Sequence, residues 1–285
     1  MEKFSVLMSV YYKEKAENLD LSLKSILVEQ TCIPNEVILV KDGSLTKELD
    51  EVIKNYKKDF GNILKIIPLE KCGGLGNALN IGLSKCKYNL IARMDSDDVS
   101  VYDRFEKQIK YMEEHPDIAA CGGYIGEFES DPEEPLRLKK IPLTHNDILK
   151  YAKLRNPMNH VTVCFRKKDI QDVGGYMHLQ YLEDHYLWAR MLASGKKMEN
   201  IPEILVRVRV GNGFTSRRGS KLYINGWKFL QKYMHKNKLV NFYQRQRNII
   251  AMYFMVYMPS SLRDLLYNNV LRSKGRVNLK DDLKK

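Results

Sequence analysis

The chain has 285 residues, 44% of them hydrophobic and 29% charged, enough to bury a full core as one large domain or one domain plus an appendage. Its five scattered cysteines, Cys32, Cys72, Cys86, Cys121 and Cys164, include no C-x-x-C spacing, which argues against a disulfide framework or a zinc site and fits a reducing, cytosolic setting. The net charge of +12 is uneven: residues 206–285 hold 18 Lys and Arg against 3 Asp, whereas residues 1–205 hold 29 against 32 Asp and Glu. A near-neutral body with a basic tail points to an anionic surface as partner, either nucleic acid or lipid headgroups.

The predicted elements alternate from the start. Residues 4–10 form a short apolar strand with no signal-peptide pattern before it, followed by the polar loop Tyr11-Tyr12-Lys13-Glu14. Residues 18–29 carry Leu19, Leu23, Ile26 and Leu27 at helical spacing. Pro34 precedes a second strand, 36–40, which ends in Lys41-Asp42-Gly43-Ser44. A helix over 46–58, a strand over 62–67, a helix over 75–86 opened by a glycine-rich turn, and a strand over 88–94 follow. Residues 102–114 read as helix and 118–123 as strand, and the acidic, proline-broken stretch 127–146 reads as an exposed loop. Short strands are expected at 161–165 and 204–210, with a turn at Asp172-Val173-Gly174-Gly175-Tyr176 and an amphipathic helix starting at Leu182. Strands alternating with helices of this length predict an α/β fold with a mostly parallel central sheet covered on both faces. In such sheets ligands bind beyond the carboxyl ends of the strands.

Beyond Gly219 the pattern is helical and basic. Residues 249–258 are ten apolar residues in a row, too short to span a bilayer and ended by Pro259. They read either as a core helix or as a helix lying in the membrane interface.

Three carboxylates within four positions close the fourth strand, in Arg93-Met94-Asp95-Ser96-Asp97-Asp98. In an extended backbone Asp95 and Asp97 share one face about 7 Å apart. Such a pair is either solvated at the lead-in to the next helix or set against a hard divalent cation. The run Cys72-Gly73-Gly74-Leu75-Gly76-Asn77 opens a helix, where backbone N–H groups favour a phosphate. It fails as a dinucleotide fingerprint, because Leu79 stands where the third glycine belongs and the unit follows the third strand. Glu183 and Asp184 start a later helix, a place where the dipole favours acids. His160 and His185 are further candidates for a base or ligand.

Taken together these segments resemble the family 2 glycosyltransferases, which use the nucleotide-sugar-binding GT-A fold. The resemblance covers roughly residues 3–210 and rests on residues 5–12, Val40-Lys41-Asp42-Gly43-Ser44, residues 74–80, the Ala92 to Asp98 run with Arg104 and Gln108 downstream, and Tyr181-Leu182-Glu183-Asp184. The family often has proline where Ser9 or Val10 stands here. The resemblance implies a catalytic domain over 1–210 that transfers a sugar from a UDP-sugar with inversion, using Mn²⁺ or Mg²⁺. By that likeness Tyr11 and Asp42 hold the nucleobase, and Gly74 and Asn77 line the sugar-donor site. Asp97 ligates the metal, Asp95 is shared between ribose and metal, and Arg93 adds positive charge beside the diphosphate. Asp184 matches the base that deprotonates the acceptor hydroxyl. Glu183 and His160 orient the site or the acceptor.

The run from Val206 to Gly219 and the basic residues after it look like the subgroup that extends lipid-diphosphate-linked sugars in capsule, O-antigen or exopolysaccharide assembly. By that likeness the added sugar is a hexose, glucose or galactose, Arg217 and Arg218 meet a diphosphate, and residues 211–285 form a basic, helical region. That region would be held peripherally at the anionic inner face of the cell membrane. Two other classes fit the sequence less well. A nucleic-acid-binding protein would use the same tail, but the tail has long apolar runs and no base-reading module, so no nucleic-acid partner is expected. A nucleotidyltransferase would need a glycine-rich, lysine-bearing loop after the first strand, and Tyr11-Tyr12-Lys13-Glu14 is not one.

Overall fold

The computed structural model describes residues 1–210 and 221–258. Four strands form one parallel block: β1 (Phe4–Val10), β2 (Glu36–Lys41), β3 (Leu64–Pro68) and β4 (Leu90–Asp95), in the spatial order β3-β2-β1-β4. β1 sits inside this block, with Met8 opposite Leu39 on one side and Met94 on the other. Its sequence is apolar on both faces because both faces are covered, as expected for parallel strands.

One face packs against α1 (Ala16–Leu27), α2 (Lys47–Asp59) and α4 (Arg104–Glu114), through Leu19, Leu23, Leu49 and Phe105 against Val6, Met8 and Leu39. The other packs against α3 (Leu75–Lys85) and later helices, through Ala78, Leu79 and Leu83 against Leu7, Ile38 and Val40. Each fully buried side chain of this size contributes about 1.5–3 kcal/mol. Gly82 lets α3 lie directly on the sheet: a Cβ there would clash with Leu7 Cδ1 and stand 2.7 Å from Val40 Cγ2.

The sheet then reverses twice. β8 (Cys164–Arg166) is antiparallel both to β4 and to β6 (Ile118–Phe128), and β9 (Lys197–Arg209) is parallel to β6. The reversals cancel, so the carboxyl ends of β1, β2, β3, β4, β6 and β9 share one edge, and most of the laddered length is parallel. Directly after the acidic loop, β5 (Val99–Ser100) pairs with Arg207 and Val206 of β9. The loop from Asp95 to Asp98 is therefore slung across the sheet end between β4 and β9.

The stretch 127–146, read from sequence as an exposed loop, is only partly one. β6 runs through Glu127 and Phe128, both buried, and β7 (Arg137–Lys139) pairs back onto it. The acidic composition hid a strand end that β9 covers on one side and β7 on the other. Three short elements lacked enough periodicity to be read: α5 (His145–Ala152), α6 (Lys167–Asp172) and a 3₁₀ turn (His160–Thr162).

α7 (Glu183–Ala193) packs its Leu187, Trp188 and Met191 on the α3 face of the sheet. Its other side meets α8 (Lys221–Lys236), where Leu182, Tyr186 and Ala189 bury Trp227, Leu230 and Met234. α9 (Phe242–Tyr257) contains most of the ten-residue apolar run and leaves Ile250, Phe254 and Tyr257 exposed. No helix of the described residues is long and apolar enough to cross a membrane.

Replacing Gly82 by valine should overpack the α3–sheet contact and cost about 1–3 kcal/mol. Denaturant melts that leave the midpoint unchanged would mean that α3 does not lie this close to β1 and β2.

Candidate active site

The shared strand edge begins with an arginine in the wrong place for a core. Arg93 is central in β4 and 2% exposed, and its Nη1 donates to Asp95 Oδ2 at 2.6 Å while Nη2 donates to Oδ1. The chain of Asp95 is further fixed by Ser22, whose hydroxyl donates to its carbonyl at 2.8 Å. Beneath, Arg104 donates to the carbonyls of Arg93 at 2.7 Å and Val161 at 3.1 Å, bridging β4 to the 3₁₀ turn, and burial pushes its pKa down to about 10.

Carboxylate oxygens of Asp95, Asp97 and Asp98 lie within 4.8 Å of one another. Burial first, then Asp95 and Glu14, push Asp97 up to about 7, and burial with Asp97 and Asp95 raises Asp98 well above the usual carboxylate range. Asp98 Oδ1 accepts the backbone N–H of Arg209 at 2.8 Å, so this acid ties the loop to the end of β9 and does not cap α4. Hard, crowded oxygens whose repulsion a dication would relieve fit Mn²⁺ or Mg²⁺. Asp97 has the freest carboxylate for the purpose, because Asp95 is engaged by Arg93.

Asp42, at the end of β2, is spent on the turn before α3. Its Oδ1 accepts the N–H of Gly73 at 2.7 Å, and Oδ2 accepts that of Gly74 at 3.0 Å and the thiol of Cys72 at 3.3 Å. A carboxylate oxygen takes two hydrogen bonds, so Oδ1 keeps a lone pair for a ligand N–H. Gly74, at φ +82°, is the N-cap of α3, which places Asn77 in the helix's first turn. Tyr11 is exposed at the end of β1.

Glu183 and Asp184 are the first two residues of α7 and both are half-buried. Asp184 accepts from Asn156 Nδ2 and from the N–H of His185 at 2.7 Å. Burial, with Asp184 adding to it, raises the pKa of Glu183. His160 Nε2 shares a 2.9 Å hydrogen bond with the Tyr176 hydroxyl. Burial, then the Arg93 guanidinium, push its pKa well down, so the ring is neutral. His185 is committed elsewhere, to the Ala152 carbonyl at 2.8 Å.

The predicted residues thus fall at one sheet edge and at the start of the helix beside it; Arg217 and Arg218 lie outside the described residues. Sequence reasoning missed Asn156, Tyr176, Cys72 and the Arg209 backbone. Cys72 stood in the glycine-rich run, Tyr176 in the turn before α7 and Asn156 just before Pro157, but none of these positions marks the side chain as part of a site.

Metal-fitting acids at a strand end, with a separate carboxylate on a neighbouring helix, suit removal of a group from a diphosphate and its passage to a hydroxyl. That is glycosyl-transfer chemistry. Residues 5–174 match the family described as Glycosyl transferase family 2, and the chain belongs to that family. It is 39% identical over 273 residues to the amylovoran biosynthesis glycosyltransferase AmsE of Erwinia amylovora, a match covering 93% of this chain and 97% of the relative. It is 37% identical over 270 residues to the UDP-Gal:alpha-D-GlcNAc-diphosphoundecaprenol beta-1,3-galactosyltransferase of Escherichia coli, covering 95% and 97%. The structure of S. aureus TarS 1-349 in complex with UDP-GlcNAc superposes with a TM-score of 0.66 at 15% identity, covering 93% of this chain and 79% of that one. At that identity the likeness concerns the fold, which is of the GT-A type.

Asp97 makes the stability of the metal-free protein depend on pH. Its folded pKa, about 7, lies above the unfolded carboxylate value, so between the two the native state binds the extra proton. This group's contribution therefore favours folding at low pH and is lost as pH rises toward 7 in metal-free protein. Asp97→Asn should flatten that fall, making the chelator-treated variant melt higher than wild type at pH 8. Mn²⁺ should raise the melting temperature of wild type and leave the variant unmoved; equal Mn²⁺ responses would take Asp97 out of the metal site.

Proposed function

We propose that the chain transfers a hexose, galactose or glucose, from a UDP-sugar to the sugar of a lipid-diphosphate-linked acceptor in bacterial surface polysaccharide assembly, with inversion. Residues 1–210 form the catalytic unit and residues 211–285 the region associated with acceptor and membrane. The observation that carries this is the cluster of Asp95, Asp97 and Asp98 at the strand edge, whose carboxylate oxygens lie within 4.8 Å of one another. The acids of α7 stand beside the first turn of α3, where a Cβ on Gly76 would lie 3.8 Å from Glu183 Cγ. The substrates named for the E. coli relative, UDP-Gal and a GlcNAc-diphosphoundecaprenol, favour galactose and a lipid-linked acceptor.

In this reading Asp42 offers its free Oδ1 lone pair to the uracil N–H while holding the Cys72–Gly74 turn, and Tyr11 borders the base. Gly74 and Asn77 present the α3 N-terminus to phosphate oxygens. Asp97, with Asp95 beside it, would hold Mn²⁺ or Mg²⁺, and the ion would supply positive charge to offset that of the UDP leaving group. Arg93 keeps Asp95 in place and adds a fixed positive charge below the diphosphate. Asp184 takes the proton as the acceptor oxygen bonds to the anomeric carbon from the face opposite the breaking bond to UDP. Asn156 holds Asp184 Oδ2 and the His185 N–H holds Oδ1, which keeps a second lone pair for the acceptor hydroxyl, and Glu183 and His160 shape the acceptor side. Arg217 and Arg218 serve the diphosphates.

The same reading places the protein on the inner face of the cell membrane without crossing it. Residues 221–258 contain seven Lys and Arg and no Asp or Glu. Ile250, Phe254 and Tyr257 form an i, i+4, i+7 stripe on α9, the first two each 68% exposed. A basic helical hairpin with an apolar stripe fits an anionic leaflet, where each cation contributes about 1 kcal/mol.

A panel of UDP- and GDP-hexoses with a synthetic GlcNAc-diphosphate-lipid acceptor should yield product with one UDP-hexose in the presence of Mn²⁺. Product formation undiminished by chelator would remove the metal from the mechanism. Asp184→Asn should bind UDP normally and lose roughly 10²–10⁴-fold in kcat; near-normal turnover places the base elsewhere. Ile250→Glu combined with Phe254→Glu should release the protein from phosphatidylglycerol vesicles in sedimentation while leaving UDP affinity intact. Unchanged sedimentation would assign that stripe to another role.

A further inference from the structure

The two halves of the site come from distant parts of the chain. The sugar-donor half is built on β2, β4 and the first turn of α3, and the base stands on α7. Transfer needs the acceptor oxygen, held by the base, aligned behind the anomeric carbon, and an error of about 1 Å costs on the order of 10²-fold in rate. Some contact must therefore fix α7 against α3.

We infer that Asn80, on α3, is a positioning residue that sets the Asp184 carboxylate against the sugar-donor half; this rests on the reading of Asp184 as the base. Asn80 Nδ2 donates to the Tyr176 carbonyl at 2.6 Å, and the Tyr176 N–H donates to Asn80 Oδ1 at 2.7 Å. One side-chain amide thus takes both backbone groups of Tyr176, as a neighbouring strand would. Gly175 makes the approach possible: its φ is +66°, and a Cβ there would stand 2.6 Å from Asn80 Oδ1.

The segment so held is also gripped from α7. Arg190 donates to the carbonyl of Gly175 at 2.6 Å and to that of Val173. The Tyr176 hydroxyl reaches His160 Nε2, and the His160 ring lies edge-on to Trp188 of α7 with centroids 6.0 Å apart. Gly76 shares the α3 face of Asn80, one turn earlier, and a Cβ on it would lie 3.7 Å from Tyr176 Cβ and 3.8 Å from Glu183 Cγ. The first turn of α3 and the first turn of α7 are therefore neighbours, and Asn80, one turn further along α3, is a hydrogen-bonded tie from α3 to the segment that leads into α7. It acts from the far side of the turn that Asp42 holds, so its loss leaves Asp42, Gly73 and Gly74 in place.

The test is a double-mutant cycle of Asn80→Ala with Asp184→Asn, with Asn80→Asp as a second single variant. Asn80→Asp keeps the acceptor for the Tyr176 N–H and turns an oxygen toward the Tyr176 carbonyl, so it should lose activity while folding. We expect each Asn80 variant to bind UDP within about threefold of wild type by calorimetry and to lose about 10- to 100-fold in kcat. In the Asp184→Asn background the Asn80 change should cost less than about twofold, because the group it positions is gone. Additive losses, weaker UDP binding that parallels the loss of kcat, or a normal kcat in Asn80→Asp would each overturn the proposal. Should Asp184→Asn itself keep its turnover, the base assignment fails first. With that variant inactive, a normal kcat for Asn80→Ala sinks the positioning role alone.

Discussion

A guanidinium buried in the middle of a strand constrains everything around it. Arg93 cannot be left unpaired, since an uncompensated buried charge costs about 3–5 kcal/mol. Asp95 answers it with both carboxylate oxygens. That commitment divides the work among the three acids. Asp95 is held by that pair, and Asp98 is drawn to the Arg209 N–H at the end of β9. Asp97 is left with the repulsion and, among the described residues, with no group of opposite charge hydrogen-bonded to its carboxylate. A carboxylate raised to about 7 within reach of two others is a site that gains most from a cation.

The same arginine organises what lies below. Its carbonyl takes Arg104, which also takes Val161 at the 3₁₀ turn, while its N–H donates to the Val163 carbonyl at 2.8 Å. β4 and the chain before β8 are thus held together where the sheet switches from parallel to antiparallel. Burial first, and then the Arg93 charge, lower the pKa of His160 well below its ordinary value. A neutral ring can share a hydrogen with the Tyr176 hydroxyl, so the burial of this stretch against β4 bears on a contact that belongs to the loop before α7.

The parallel block was legible in the sequence because each strand is a continuous apolar run between turn residues, and α1 to α4 because their apolar stripes repeat at helical spacing. The later half was less so. β5 has two residues and β7 three, too few for any period, and Glu127 within β6 reads as polar although its strand neighbours bury it. In the site, the acids stood out because carboxylates crowded at a strand end are costly without a purpose. The roles of Asn80, Asn156 and Tyr176 did not, since an amide or phenol in a loop or on a helix carries no such cost in one dimension, even where, as with Asn80, it lies in a segment that marks the family. Their meaning comes only from what the fold sets opposite them.

The helical hairpin beyond β9 is joined to the site by polar bonds as well as by apolar packing. The last carbonyls of α5 act as a common anchor: Ala152 accepts from His185, and Lys153 accepts from Gln231 at 3.0 Å and Asn248 at 2.8 Å. Trp227 then closes the set by donating to the Asn248 carbonyl at 3.0 Å. Hydrogen bonds are directional where apolar contacts are not, so a buried set like this one selects a single seating of α8 and α9 on α7. His185, which follows Asp184, belongs to that set. The orientation of the basic, acid-free hairpin and the orientation of the carboxylate read as the base are therefore settled by the same few bonds, and a surface that engages α9 is held at a fixed attitude to the place where the acceptor hydroxyl must arrive.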